Sequence, residues 1–185
     1  MIWEYKELLD KVKNFDRIVV TGPQRSGTTI ISKCFAKDLG YRFINEADFG
    51  TYDFDGAYET LKSHEKIVVQ CPALSHYCHY FSNIESCCVI WVKRDINEIL
   101  DSHRTKKFIS MTYDINEIET YKNSFDNIDF NQFDNMWEMK HFIWDNYQSF
   151  LTKNSFELEY SSLSDHPDWI DFEDRKWDRL KITKN

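Results

Sequence analysis

Apolar and polar positions fall into blocks along this chain, and the period of the blocks changes from one to the next. Arg17–Thr21, RIVVT, is a short β-branched run that stops at Gly22, and Thr28–Leu39 carries its apolar residues at helical spacing until Gly40. The first reads as a strand and the second as a helix, with a loop between them. Tyr41–Ile44 predicts a second strand, Tyr58–His64 a short helix, and Lys66–Gln70 a third strand halted by Pro72. Leu74–Ser82 reads as a further helical stretch. CCVIWVKR, from Cys87, is apolar at successive positions rather than alternate ones, the mark of a strand covered on both faces at the centre of a parallel sheet. DINEILDSHRTKK follows it with an aspartate cap and with Ile96, Ile99 and Leu100 at helical spacing.

At the start of the chain, Trp3, Leu8, Leu9, Val12 and Phe15 stand near helical spacing with charges between them, predicting a surface helix and not the apolar core of a signal peptide. From Phe108 to Asn131 the periodicity fades into an acid-rich stretch with scattered aromatics, the pattern of a long irregular connection. Phe133–Leu151 reads as an aromatic-rich helix whose Met136, Trp137, Phe142 and Trp144 face a core, and Phe156–Tyr160 as a last strand. Strands alternating with helices predict a doubly wound α/β fold, a mainly parallel sheet flanked by helices. With no repeat, low-complexity tract or Gly/Ser linker, residues 1–185 read as a single domain.

Composition narrows the partners. A net charge of -8 leaves no basic face for a duplex, so nucleic acid is excluded as the main partner. The longest apolar run, Cys87–Val92, is far too short to span a bilayer, so no membrane role is expected. Five cysteines, an odd number with no C-x-x-C pair, fit reduced thiols in a cytoplasmic protein. The H-x-C-H in HYCHY, near Cys87 and Cys88, matches no common zinc spacing and reads as core.

The chemistry begins in the loop after the first strand. RIVVTGPQRSGTT holds Gly22 and Gly27 at the spacing of an ATP- or GTP-binding phosphate loop, yet Thr28 stands where that loop has its lysine. The cation has moved to Arg25, ahead of the second glycine. The amides of Ser26 to Thr29 at a helix N-terminus, two threonine hydroxyls and one guanidinium would hold a phosphate or a sulfate.

In these residues the chain resembles the sulfotransferases, whose 5′-phosphosulfate loop reads [KR]-S-G-T-T. Members of that family carry an arginine ending a central strand and a serine eight residues on. WVKRDINEILDSHR supplies Arg94 and Ser102 at that spacing. VVQCPALSHY and FELEYSSLSDHPDWI are similar to segments of the tyrosylprotein and bacterial branches, so the likeness runs from about Arg17 to Ile170. Gln70 stands where a lysine is common, Ile30 where cytosolic members have tryptophan, and the family's glycine-rich C-terminal motif is absent.

The resemblance implies that 3′-phosphoadenosine 5′-phosphosulfate is the donor and 3′-phosphoadenosine 5′-phosphate the product, with no metal required. Arg25, Ser26, Gly27, Thr28 and Thr29 would hold the phosphosulfate, and Arg94 with Ser102 the 3′-phosphate. Arg25 would also serve catalysis as the cation beside the breaking bond. For the base that deprotonates an acceptor hydroxyl or amine, the tyrosylprotein branch points to Glu46, with Asp48 and Glu59 near it in sequence and His76 or His79 as other candidates. The acceptor, a small molecule, glycan or peptide, is not specified. Arg175, Lys176, Arg179 and Lys181 in the tail read as a solvated terminus or a cover for the donor. Two other readings stand beside this one: a nucleotide kinase or hydrolase with a degenerate loop, and a module that binds a nucleotide without catalysis.

Overall fold

The computed structural model describes residues 1–51, 53–105, 142 and 145–168. The segment 108–131, most of 133–144 and the basic tail, for which the sequence makes the predictions above, lie outside these residues.

Six parallel strands form one sheet: β1 (Ile2–Trp3), β2 (Arg17–Thr21), β3 (Arg42–Asn45), β4 (Ile67–Gln70), β5 (Cys87–Lys93) and β6 (Ser155–Glu159), in the spatial order β1-β6-β5-β2-β4-β3. The chain leaves β2 toward one edge, returns through β4, and then crosses to β5 on the other side. That reversal makes the carboxyl end of β2 a topological switch point, where ligands settle in open α/β sheets. The register brings the carboxyl ends level, with Val20 beside Gln70, Asn45 beside Gln70, and Thr21 beside Trp91.

The strands are near-continuous apolar runs because both faces are covered. Ile18, Val20, Cys88, Ile90 and Val92 pack with α1 (Tyr5–Val12) and α2 (Thr28–Leu39) through Leu8, Val12, Ile31 and Phe35. Val19, Val69, Val89 and Trp91 face the other way, toward Leu61 of α3 (Phe54–Ser63) and Phe81 of α4 (Cys78–Phe81). Trp91, Phe35 and Phe81 are fully buried, each contributing roughly 1.5–3 kcal/mol relative to exposure.

The strand at Arg17–Thr21 and the helix at Thr28–Leu39 stand as the hydrophobic pattern predicts, the helix ending at Gly40 in a left-handed conformation. Asp95 caps α5 (Ile96–Thr105), accepting from Asn97 N–H at 2.8 Å. Three predictions need correction. The N-terminal helix begins only at Tyr5, because Ile2 and Trp3 pair with Glu157 and Leu158 on the open edge of β6 and sheet hydrogen bonds replace helical ones. The helical stretch after Pro72 is instead a 3-10 segment, Pro72–Tyr77, followed by the single turn of α4, since Leu74 sits at φ -105, ψ 24 and interrupts the α ladder. Of the helix predicted over Phe133–Leu151, the described residues Phe142, Asp145 and Asn146 are helical, but Tyr147–Phe150 form a 3-10 turn, where Tyr147 stacks on Trp91 with centroids 5.2 Å apart.

Candidate functional site at the carboxyl edge of the sheet

The loop from Gly22 to Gly27 joins β2 to α2 and is shaped by glycine. Gly27 has φ +99, and a Cβ there would fall 2.1 Å from Cε2 of Tyr160, so both the backbone and the neighbouring ring demand glycine. Arg25 also adopts positive φ, 72°, a conformation uncommon outside glycine and a mark of strain at functional loops. Ser26 N–H donates to Pro23 O at 3.0 Å, closing the turn. The first turn of α2 contains no acidic residue, so its N-terminal amides face the loop with their partial positive charge unopposed from within that turn. Ser26 and Thr28 are buried, and the Ser26 Oγ has no hydrogen-bond partner among the described residues. A buried polar atom of this kind calls for an explanation, and an anion in the loop supplies one.

On one side of the loop stand residues far apart in sequence. Arg25 Nη2 donates to Ser102 Oγ at 3.3 Å, and Arg94 Nη1 donates to the Arg25 carbonyl at 3.2 Å. Arg94 follows the central strand β5 and Ser102 lies on α5, so the parallel pairing of β5 with β2 brings both beside the loop. Arg94 is also held structurally. Its Nε pairs with Glu98 Oε2 at 2.9 Å and its guanidinium lies 4.1 Å from the centroid of Tyr160, the ring that packs on Gly27.

On the other side, Glu46 follows β3 at the start of a 3-10 turn, Glu46–Asp48. Asn45 caps that turn, accepting from Ala47 N–H at 2.9 Å, while Asp48 reaches back to the Asn45 N–H at 2.9 Å. Asp48 is thereby committed to the turn, and Glu59 pairs with Lys62 on an exposed face of α3 at 3.2 Å. Glu46 is the carboxylate of the three that turns inward. Its Oε2 accepts from Ala73 N–H at 3.4 Å. Burial pushes its pKa up from 4.5 to about 7, opposed by the Ala73 N–H and by a hydrogen bond from Gln70. Gln70, the last residue of β4 and almost fully buried, donates through Nε2 to Thr28 Oγ1 at 3.3 Å. The inward carboxylate and the loop are thus joined through one amide.

The structure therefore brings Arg25, Ser26, Gly27, Thr28, Arg94 and Ser102 around one loop, with Thr29 in the first turn of α2, and puts Glu46 one side chain away. Of the other base candidates, the His79 ring lies against Tyr80 with centroids 4.0 Å apart, and the side chain of His76 lies outside the described residues. Sequence reasoning did not anticipate two members of this site. Tyr160 was visible only as the end of FELEY, and Gln70 only as the polar residue closing an apolar strand where sulfotransferases commonly have a lysine, with no role attached. All five cysteines are free and buried. Among the described residues, no group of three or more His, Cys, Asp or Glu could hold a metal ion, and no helix is long and apolar enough to cross a membrane.

A parallel sheet with a glycine-shaped loop between strand and helix at its switch point is a P-loop α/β fold. No family model and no curated protein matches the chain. Among solved structures it is similar in architecture to shikimate kinase from Acinetobacter baumannii in complex with shikimate, at 11% identity and a TM-score of 0.49, covering 81% of this chain and 86% of that one. It is similar also to shikimate kinase from Bacteroides thetaiotaomicron, at 12% identity and a TM-score of 0.46, covering 78% and 85%. Similarity at this level describes the course of the chain and not its chemistry.

Proposed function

We propose that this protein is a sulfotransferase that moves a sulfuryl group from 3′-phosphoadenosine 5′-phosphosulfate to a hydroxyl or amine. The observation that carries the reading is the convergence of Arg25, Ser102 and Arg94, two guanidinium groups and a hydroxyl, beside a loop that already offers helix N-terminal amides. One anion on the loop needs only the amides and Arg25. A second cation and a serine beside them suit a ligand with a second phosphate, and Arg is the side chain fitted to bind one with two parallel hydrogen bonds.

In this reading the loop amides, Thr28 and Thr29 hold the donor's 5′ group, and Arg94 with Ser102 its 3′-phosphate. The donor supplies an activated sulfuryl group. Arg25, always protonated, neutralises charge that develops as the nucleotide departs. Glu46 takes the proton of the attacking hydroxyl or amine. A carboxylate whose pKa lies near 7 is half ionised at neutral pH and a stronger base than an exposed one.

Phosphoryl transfer from a nucleoside triphosphate is the second reading, favoured by one observation. Arg94 is already engaged by Glu98, Tyr160 and the Arg25 carbonyl, and a kinase or hydrolase would leave it so. Thermal unfolding separates the two. A ligand at 100 times its Kd stabilises by about 2.7 kcal/mol, so 3′-phosphoadenosine 5′-phosphate should raise the midpoint by about 5–10 °C without added metal, and ATP with Mg²⁺ much less. Stabilisation by ATP that depends on Mg²⁺, with none from the bisphosphate, would replace sulfuryl transfer with phosphoryl transfer. Release of the bisphosphate from the phosphosulfate donor then distinguishes an enzyme from a module that only binds.

A further inference from the structure

Gln70 sits between the two halves of the site, and its amide can serve them in two ways. A carboxamide carries two N–H donors on one end and an acceptor on the other, and the two ends are nearly the same size. In the arrangement observed, Nε2 donates to Thr28 Oγ1 at 3.3 Å and toward the Glu46 carboxylate. Thr28 Oγ1 accepts that bond, so its own hydrogen is free to point elsewhere, toward the loop. The opposite end, Oε1, is buried with no hydrogen-bond partner among the described residues. Turning the amide over would put Oε1 between Thr28 and Glu46, where it could accept from both, provided that Glu46 carries a proton. Thr28 would then spend its hydrogen on Gln70 and have none for an anion.

We propose that Gln70 is a positioning residue that couples the proton on Glu46 to the hydroxyl of Thr28, so that an ionised Glu46 and a Thr28 that donates to a loop anion belong to one state. The inference rests on the reading of the loop as an anion site and of Glu46 as the base. It deepens that reading, because the amide makes the base competent in the same state that grips the donor. Among the described residues, two other ionisable groups near Glu46 are each fixed by their surroundings. The Cys71 thiol is kept protonated by burial, and the Asp48 carboxylate accepts from the Asn45 backbone N–H.

The test is a titration of the Glu46 carboxyl by NMR on protein labelled with ¹³C at glutamate side chains, its signal assigned by its loss in Glu46→Gln. Midpoints are measured with and without saturating inorganic sulfate. Plain repulsion from a bound anion raises a carboxylate's midpoint. Coupling through Gln70 opposes that rise, so sulfate should shift the wild type less than Gln70→Leu, by about half a pH unit or more, a threefold factor that linkage also places on sulfate affinity. Thr28→Val should behave as Gln70→Leu does, and Thr28→Ser as the wild type. This pair decides the matter if Gln70→Leu does not fold.

Equal sulfate shifts in the wild type and the Gln70 and Thr28→Val variants would overturn the proposal, as would a wild-type loop that takes no sulfate. Neither measurement uses a nucleotide or turnover. A protein that prefers ATP with Mg²⁺ but shows the coupling would lose the sulfotransferase reading and keep this one.

Discussion

The two sides of the carboxyl edge are built differently. Beside β2 and β5 the site is cationic and over-determined: a glycine at φ +99, a tyrosine ring against it, and an arginine engaged at three points. Beside β3 and β4 it is a single carboxylate held by two hydrogen bonds against the cost of burial. The first side is a shape fixed by contacts between several elements. The second is a group kept in an unfavourable environment, where proteins place residues that must change protonation during turnover. One side is expected to lose structure and affinity when altered, and the other to lose rate while gaining stability.

The largest effect expected is on rate. Glu46→Gln should lower turnover about 10²- to 10⁴-fold, read as release of the bisphosphate nucleotide with any acceptor that supports it, and weaken the donor by no more than about the threefold factor that coupling through Gln70 allows. Equal losses of affinity and rate would erase the contrast between the two sides.

On the loop side, Gly27→Ala combines strain at positive φ with a clash against Tyr160. It should cost about 2–5 kcal/mol and lower the unfolding midpoint by roughly 5–15 °C. Gly40→Ala is the control, since it shares positive φ but has nothing within 4 Å of its added Cβ, and should cost only about 1–2 kcal/mol. Similar losses at both glycines would mean that Tyr160 does not constrain the loop.

Stability against pH sharpens the other half of the contrast. Burial holds the folded-state pKa of Glu46 above its unfolded value of 4.5, so the stability linked to this group is present below 4.5 and is lost as pH rises to about 7. Glu46→Gln escapes that loss. It should match the wild type at pH 4.5 and exceed it by up to about 3 kcal/mol at pH 8, in thermal or urea unfolding. A variant no more stable at pH 8 would mean that Glu46 is not held in the low-polarity setting described.

The smallest effect separates binding from architecture at Arg94. Arg94→Ala should weaken 3′-phosphoadenosine 5′-phosphate by about 1.5–3 kcal/mol, measured by calorimetry, and hardly change the affinity of a nucleotide without the 3′-phosphate. Arg25→Ala should weaken both. If Arg94→Ala weakened both ligands equally, its contacts with Glu98 and Tyr160 would be its whole role.

Much of this arrangement was legible before any coordinates. A β-branched run ending in glycine, a helix closed by Gly40 and a strand apolar at every position report backbone preference and burial on both faces, which are properties of neighbours in sequence. The loop with its arginine was legible for the same reason, whereas the Arg94–Ser102 spacing stood out only through the resemblance to sulfotransferases. What only the tertiary structure decided are contacts between residues far apart in sequence, from 27 positions for Glu46 and Ala73 to 42 for Thr28 and Gln70 and more for Gly27 and Tyr160. Tyr160 reaches Gly27 because β6 lies beside β5. Gln70 reaches Thr28 because β4 lies beside β2. The Asn45–Asp48 capping box is local, but the inward turn of Glu46, with Glu59 facing away, depends on an amide at Ala73 that no local pattern announces. Local propensity acts along the chain, whereas burial, and with it the raised pKa of one carboxylate among three, is a property of the space that the folded chain encloses.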